Sequence, residues 1–587
     1  MSSVLESWIG SYEQLLLKGA QAAPVAGVAR RMYNLCISQS SASIAALREI
    51  METLGIPWPD PPNGDTSPLR VVLESAYRFQ IHLWFDIRLM PRSTSLGARL
   101  PFIHLRPSDH IITSFQEHQT VLASGAYTKY WRQFYGVFRD SKSATIPPEE
   151  FIDSTRVVQT FVFQTLFNVT TGTAAEGPKR IPVSSLGVYT GKLSSEEWKK
   201  ELTNAFPMVD ISDEDLVSVS DVSILRSIGA IFNSFSSTQI LYQVGWQVAQ
   251  MYGPLADFNL MIAKYGDSTE AQSTLPAVCA KEVDGAFRGL AATLVRTPEA
   301  EFKLRGVLKN ILETTASMIT EATWLHKWMK DIAVSKLWSM RIVLWQTFGL
   351  FKNTLVNDIY KNYTDNATSM FEFMLLSSAA LHALRNAVPQ GTVDILMFPD
   401  TVSLPLFIYD RALNELSVRA SAIQPPLYSG TGTKVMTYAG LGFLFTQHLF
   451  YALDELGRQV LPNRTIDEGK NGTCFSSAFT AALEKTFPCL QTMPDEHFSN
   501  HLALKVTFAA LQKDVSEEEE LPVDPLFTDE EIFYMGICYL MCHLPGALDF
   551  LFTDCNKALS NFPPFAKSYG CKIGSKMNPE NKCTFFD

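Results

Sequence analysis

The sequence predicts a mainly α-helical protein, and three observations carry that expectation. Arg156–Phe167 and Ile231–Tyr252 place aromatic and aliphatic residues at the three-to-four spacing of a helix face. Glu301–Phe348 reads as one long, weakly interrupted helical stretch rich in Leu, Met and Trp. Of the 587 residues, 46% are apolar and 19% charged, enough to bury sizeable cores and too many for one small domain.

The elements follow in order. Most of the first 390 residues read as helices. Another apolar face runs from Phe371 through Met374, Leu381 and Leu384 to Val388, until Pro389-Gln390-Gly391 stops it. A domain boundary is expected there, separating 1–390 from 391–587. Between Thr392 and Pro426 the pattern shortens, with a turn at Pro399-Asp400 and a strand expected over Leu416–Ala420. Tyr438–Leu456 is glycine-spaced and then strongly apolar, as a buried helix would be. Glu517–Glu520 with Pro522 and Pro525 reads as a solvated acidic loop.

Charge and composition exclude some partners. With 49 Lys+Arg against 60 Asp+Glu the net charge is -11, and no basic stripe is present to meet a phosphate backbone, so nucleic acid is not an expected partner. No apolar run is long enough for a membrane helix, and the start lacks the pattern of a signal peptide. Nine cysteines, five of them (Cys538, Cys542, Cys555, Cys571 and Cys583) crowded near the end, suggest an oxidising compartment. So do N-x-S/T sequons at Asn168, Asn362, Asn366, Asn463 and Asn471. An extracellular or plasma-membrane ectodomain is expected, with Met1 standing downstream of the true start. The pairing of Cys489, Cys538, Cys542, Cys555 and Cys571 is open.

Catalytic motifs are sparse. No H-E-x-x-H, G-x-x-x-x-G-K-S/T, G-x-S-x-G or G-x-G-x-x-G occurs. Among ten histidines, His497 and His501 are four apart on one helical face with Glu496 before them. The pair reads as surface or hydrogen-bonded histidines, with a zinc half-site as the alternative.

One resemblance spans nearly the whole chain. The segment Phe565–Cys571 followed by Gly574–Cys583 is similar to the ending of the neprilysin and endothelin-converting-enzyme family of zinc metalloendopeptidases. Upstream, Ile423–Pro426, Tyr438–Gly442, Asp454–Arg458, Trp328–Asp331, Arg31–Cys36 and Leu54–Pro59 also resemble family segments. The resemblance implies a two-lobed, mainly helical ectodomain enclosing a central cavity, with a few short strands in the C-terminal peptidase-like part. It also implies disulfides Cys36–Cys279 and Cys474–Cys583, and family partners for Cys542 and Cys571 in an N-terminal segment that this sequence does not include.

The same resemblance places the family's zinc motif on Gln447-His448-Leu449-Phe450-Tyr451. Two ligand histidines become Gln447 and Tyr451, and the water-activating glutamate becomes His448. Carboxamide and phenol are poor zinc ligands, and no carboxylate takes the proton of attacking water. Glu496 keeps a ligand position, Asn500 replaces an outer aspartate, and Asp454 persists without a histidine to orient. The substrate-clamping Asn-Ala pair falls near Leu406-Phe407, and His543–Gly546 only loosely resembles the later histidine segment. The expectation is therefore an inactive, secreted relative with no intact catalytic residue and no zinc, binding or sequestering small peptides. The alternative is an active zinc metalloendopeptidase with a relocated metal on His448, Glu496, His497 and His501. A third reading is an inert fragment.

Overall fold

The computed structural model describes residues 16, 24–39, 43–62, 64–90, 103–139, 147–207, 209–287, 290, 297–344, 360–363, 366–387, 406–425, 427–430, 432–467, 474–487, 495–515, 526–541 and 555–582. It is mainly helical with two small sheets. The chain forms two compact units that are not consecutive segments. One contains Tyr12–Ala291 and Gln346–Asp400; the other contains Ala292–Trp345 and Thr401–Asp587, together with Met1–Ser11. The helix Pro298–Glu321 thus lies in the same unit as the residues aligned with the zinc motif.

In the first unit, helices Pro24–Ser38, Glu149–Thr170, Ser237–Ala256 and Ser268–Ala286 surround an aromatic core. Trp58 stacks on Trp246 with ring centroids 5.0 Å apart, and Trp131 meets Trp58 edge-on at 5.8 Å. Gly245 permits this approach, because a Cβ there would stand 2.9 Å from the Cβ of Trp58. The buried indole N–H of Trp246 donates to Oε1 of Gln159 at 3.0 Å, which satisfies that donor. Cys36 and Cys279 form a disulfide across 243 residues of sequence.

A four-stranded sheet also belongs to this unit: β1 (Phe85–Leu89), β2 (Ile103–Pro107), β3 (Lys179–Pro182) and β4 (Leu216–Val219), in the order β1-β2-β4-β3. Strands are therefore not confined to the C-terminal part. These runs are only four or five residues long and sit between long helices, so a helical periodicity scan passes over them. The stretch Ile231–Tyr252 is likewise two helices. Ser223–Ser234 ends, and Ser236 caps Ser237–Ala256 by accepting from the backbone N–H of Gln239, whose side chain caps back.

In the second unit, Glu301–Phe348 resolves into helices Pro298–Glu321 and Lys327–Trp338 and then β5 (Arg341–Leu344). That strand pairs in parallel with β7 (Glu415–Val418), which pairs antiparallel with β6 (Phe407–Asp410). The helix expected over 371–388 is Met370–Ala387. The boundary near 389, the turn at Pro399-Asp400 and the acidic loop lie outside the described residues.

Candidate functional site: a remodelled metallopeptidase centre

The helix bearing residues 447–451 is set in place by its own sequence. It starts at Lys434, capped by the Thr433 hydroxyl, passes through a π-helical turn over Tyr438–Gly442, and continues as Phe443–Leu449. Gly440 lies against the chain at Leu427: a Cβ would be 2.4 Å from that residue's carbonyl oxygen. Tyr438 donates to Asp514 at 2.9 Å, and Asn310 donates to the Tyr438 hydroxyl at 2.7 Å. Thr507 donates to Thr446 at 3.0 Å, which holds the helix against Asp495–Val515.

Each residue at the motif positions has another occupation. Gln447 Nε2 donates to Oδ1 of Asn500 at 2.6 Å, and Asn500 is buried on the facing helix. His448, one residue on, is turned about 100° round the helix. Its ring stacks on Phe407 of β6 at 5.2 Å and meets Tyr451 edge-on at 5.1 Å. Its Nδ1 lies 2.8 Å from the Leu444 carbonyl, which can only accept, so Nδ1 carries the proton. Burial lowers the imidazole pKa to about 4, so His448 is neutral at pH 7. The Tyr451 ring carries the guanidinium carbon of Arg411 5.5 Å from its centroid.

Asp454 is claimed by the same arginine. Arg411, in the β6–β7 turn, forms a two-pronged ion pair with it, one prong through Nε at 3.3 Å. The Gly457 backbone N–H donates to the other face of the network, at 2.5 Å from Asp454 Oδ1. Gly457 is required here, since a Cβ would lie 2.0 Å from the Tyr451 carbonyl oxygen. Behind it, fully buried Lys336 donates to the Gly457 carbonyl at 2.8 Å and to that of Val460. Burial is the main cause that lowers its pKa to about 7; Asp454 opposes that shift and Arg411 adds to it.

Zinc does not fit these residues. The motif helix presents a carboxamide bonded to another carboxamide, an imidazole packed between two rings, and a phenol under a guanidinium. Among the described residues no three His, Cys, Asp or Glu side chains converge as a metal-holding group. His501 is buried and partnered on the facing helix, whereas His448 packs against Phe407 of β6. Glu496 and His497 lie on Asp495–Val515, and their side chains are outside the described residues. So is His543–Gly546. Leu406 and Phe407 are both buried, and Phe407 covers His448.

Two contributors were not singled out from sequence. Arg411 has no local signal, being one charge in a turn. Lys336 had one: it follows Met329 and Ala333 on the apolar face of its helix.

The C-terminal region, residues 408–585, matches Peptidase family M13. That region is similar to the neprilysin family of peptidases. Endothelin-converting enzyme 1 of Rattus norvegicus is 21% identical over 438 residues, covering 66% of this chain and 55% of the relative. Neprilysin-11 of Caenorhabditis elegans is 24% identical over 207 residues, 30% of this chain and 24% of the relative. The chain thus spans about half the length of the endothelin-converting enzymes it matches. The fold is that of the zinc metalloprotease ZMP1 of Mycobacterium tuberculosis, with a TM-score of 0.68 at 14% identity over 100% of this chain and 93% of that one. It is equally that of a Haemonchus galactose-containing glycoprotein complex, with a TM-score of 0.66 at 14% identity over 99% and 92%. These likenesses concern the fold alone.

Cysteines and sequons complete the account. Cys538 bonds Cys555, while Cys474 and Cys571 carry free thiols. Cys583, the partner expected for Cys474, lies outside the described residues, as do Cys489 and Cys542. Asn362, Asn366 and Asn463 are exposed; Asn168 is half-buried within a helix, its side chain accepting from Gln164 at 2.8 Å, and Asn471 is not described. Among the described residues no helix is long and apolar enough to cross a membrane.

Proposed function

We propose that this neprilysin-family protein is a catalytically silent, extracellular peptide-binding relative that holds small peptides without cleaving them. The observation that carries the proposal is the Gln447–Asn500 hydrogen bond. Both partners stand where the family resemblance puts a ligand histidine and an outer-sphere aspartate, and each satisfies the other in place of a metal. His448 supports the same reading, since a neutral imidazole stacked on Phe407 and edge-on to Tyr451 stands where the base that would deprotonate water is expected. The fold that admits peptides in the family is retained along the whole chain, which favours binding over a purely inert role.

The test is to incubate the secreted, full-length protein with a defined mixture of fluorescent peptides. Gel filtration then separates bound from free peptide, and mass spectrometry reads their integrity. Co-eluting peptides recovered intact are expected. Cleavage products that chelator suppresses, or no co-elution of any peptide, would overturn it.

A further inference from the structure

The first unit contains a cleft far in sequence from residues 447–451. It is framed by the end of helix Pro68–Tyr77, by Ser268–Ala286 and by Met370–Ala387, and holds a cavity of about 80 Å³ that opens to solvent. Three groups on its wall have unspent binding capacity. Arg78 forms no ion pair, and its Nε is buried without an acceptor. Ser377, on Met370–Ala387, has a buried hydroxyl with no partner. Lys281 lines the same cleft with no hydrogen bond or ion pair. A buried guanidinium N–H without an acceptor is costly, and such groups are ordinarily satisfied.

The backbone holds Arg78 in this position. Gln80 adopts a left-handed conformation (φ 58°), and its side chain donates to the Tyr77 carbonyl at 2.8 Å, closing the end of the helix. Ser378 donates to the Arg78 carbonyl at 3.0 Å, tying that turn to Met370–Ala387. The guanidinium carbon lies 5.1 Å from the centroid of the Phe79 ring. Apolar wall is supplied by Phe79, Met374, Leu381 and the ring of Tyr252. Glu282 and His110 also line the cleft and are already partnered.

The geometry points to a binding site for a small amphipathic monocarboxylate, its carboxylate taken by Arg78 and Lys281 and its hydrocarbon body laid against Phe79, Met374 and Leu381. The charge count selects a monoanion. Arg78 and Lys281 against Glu282 leave one excess positive charge. A dianionic phosphate would exceed it. Arg supplies the planar fork that a carboxylate matches, and the apolar wall rewards a hydrocarbon tail. This site is independent of whether the centre at 447–451 binds peptide.

The test is isothermal titration calorimetry on the full chain with hexanoate, 4-phenylbutyrate and indole-3-acetate. 4-Phenylbutyramide and phenyl phosphate are the comparison probes. At least one carboxylate is expected to bind, with the amide and the phosphate weaker by about tenfold or more. Arg78→Gln should weaken that carboxylate by about tenfold or more in protein that still unfolds cooperatively. Leu381→Trp, which fills the cleft and leaves Arg78 in place, should abolish binding. The proposal is overturned if none of the three carboxylates binds, if both variants bind as wild type does, or if the amide or phosphate binds as tightly as the acid.

Discussion

The carboxamide of Gln447 donates to the carboxamide of Asn500 at 2.6 Å, joining the two helices that would carry zinc ligands in a working member of the family. Each group alone would be a polar atom held in a packed interface. Together they form a neutral hydrogen bond that requires neither cation nor charge.

Removing both partners should therefore cost less than the sum of the two single removals. Gln447→Ala leaves Asn500 unsatisfied in a buried position and should destabilise the protein by about 1 to 3 kcal/mol. A double-mutant cycle with Asn500→Ala should return a coupling of about 1 kcal/mol, measured by denaturant unfolding of the transition that the single variants shift. Additive single changes would remove the pair from the account.

His448 makes acid sensitivity a second prediction. Its pKa falls from 6.5 in the unfolded chain to about 4 in the fold. The unfolded state binds the extra proton between these values, so stability is lost as pH falls from 6.5 towards 4. His118, also lowered to about 4 by burial, adds to the same loss. His448→Phe keeps the stack on Phe407 and should flatten the acid limb by about 2 to 3 kcal/mol at pH 4, read from melting temperatures across the range. An unchanged profile would contradict the burial of this ring.

Lys336 acts on the alkaline side. Its pKa is about 7 in the fold against 10.5 when free. The unfolded chain again binds more protons, so this residue makes stability rise from pH 7 towards 10. Lys336→Met should flatten that rise, although it also removes the donor to the Gly457 and Val460 carbonyls. The slope against pH, rather than the absolute stability, is the readout. A slope equal to wild type would show that Lys336 remains charged.

The Cys36–Cys279 bond closes 243 residues of chain. By loop-closure arithmetic Cys36→Ser with Cys279→Ser should cost roughly 3 to 5 kcal/mol. The drop should appear in the unfolding of the first unit, followed by the fluorescence of its buried tryptophans.

Legibility in the sequence followed length and chemistry. Long periodic segments such as Glu149–Thr170 and Met370–Ala387 announced themselves because one face is apolar over several turns. The short strands β1 to β4 did not, and neither did the break before Ser236, where a capping box overrides continuous apolar spacing. At the centre, the residue types of Gln447 and Tyr451 alone mark them as poor zinc ligands. Their partners could not be read, because Arg411 reaches Asp454 from 43 positions away and Asn500 reaches Gln447 from 53. Such pairings are properties of the folded chain.

The most direct measurement is the zinc content, by elemental analysis, of protein expressed in a eukaryotic host with a signal peptide supplied, paired with chelator-sensitive cleavage of a quenched peptide pool. Zinc at background and no chelator-sensitive cleavage are expected. About one zinc per chain with cleavage that chelator blocks would contradict the account and direct attention to Glu496, His497 and His501.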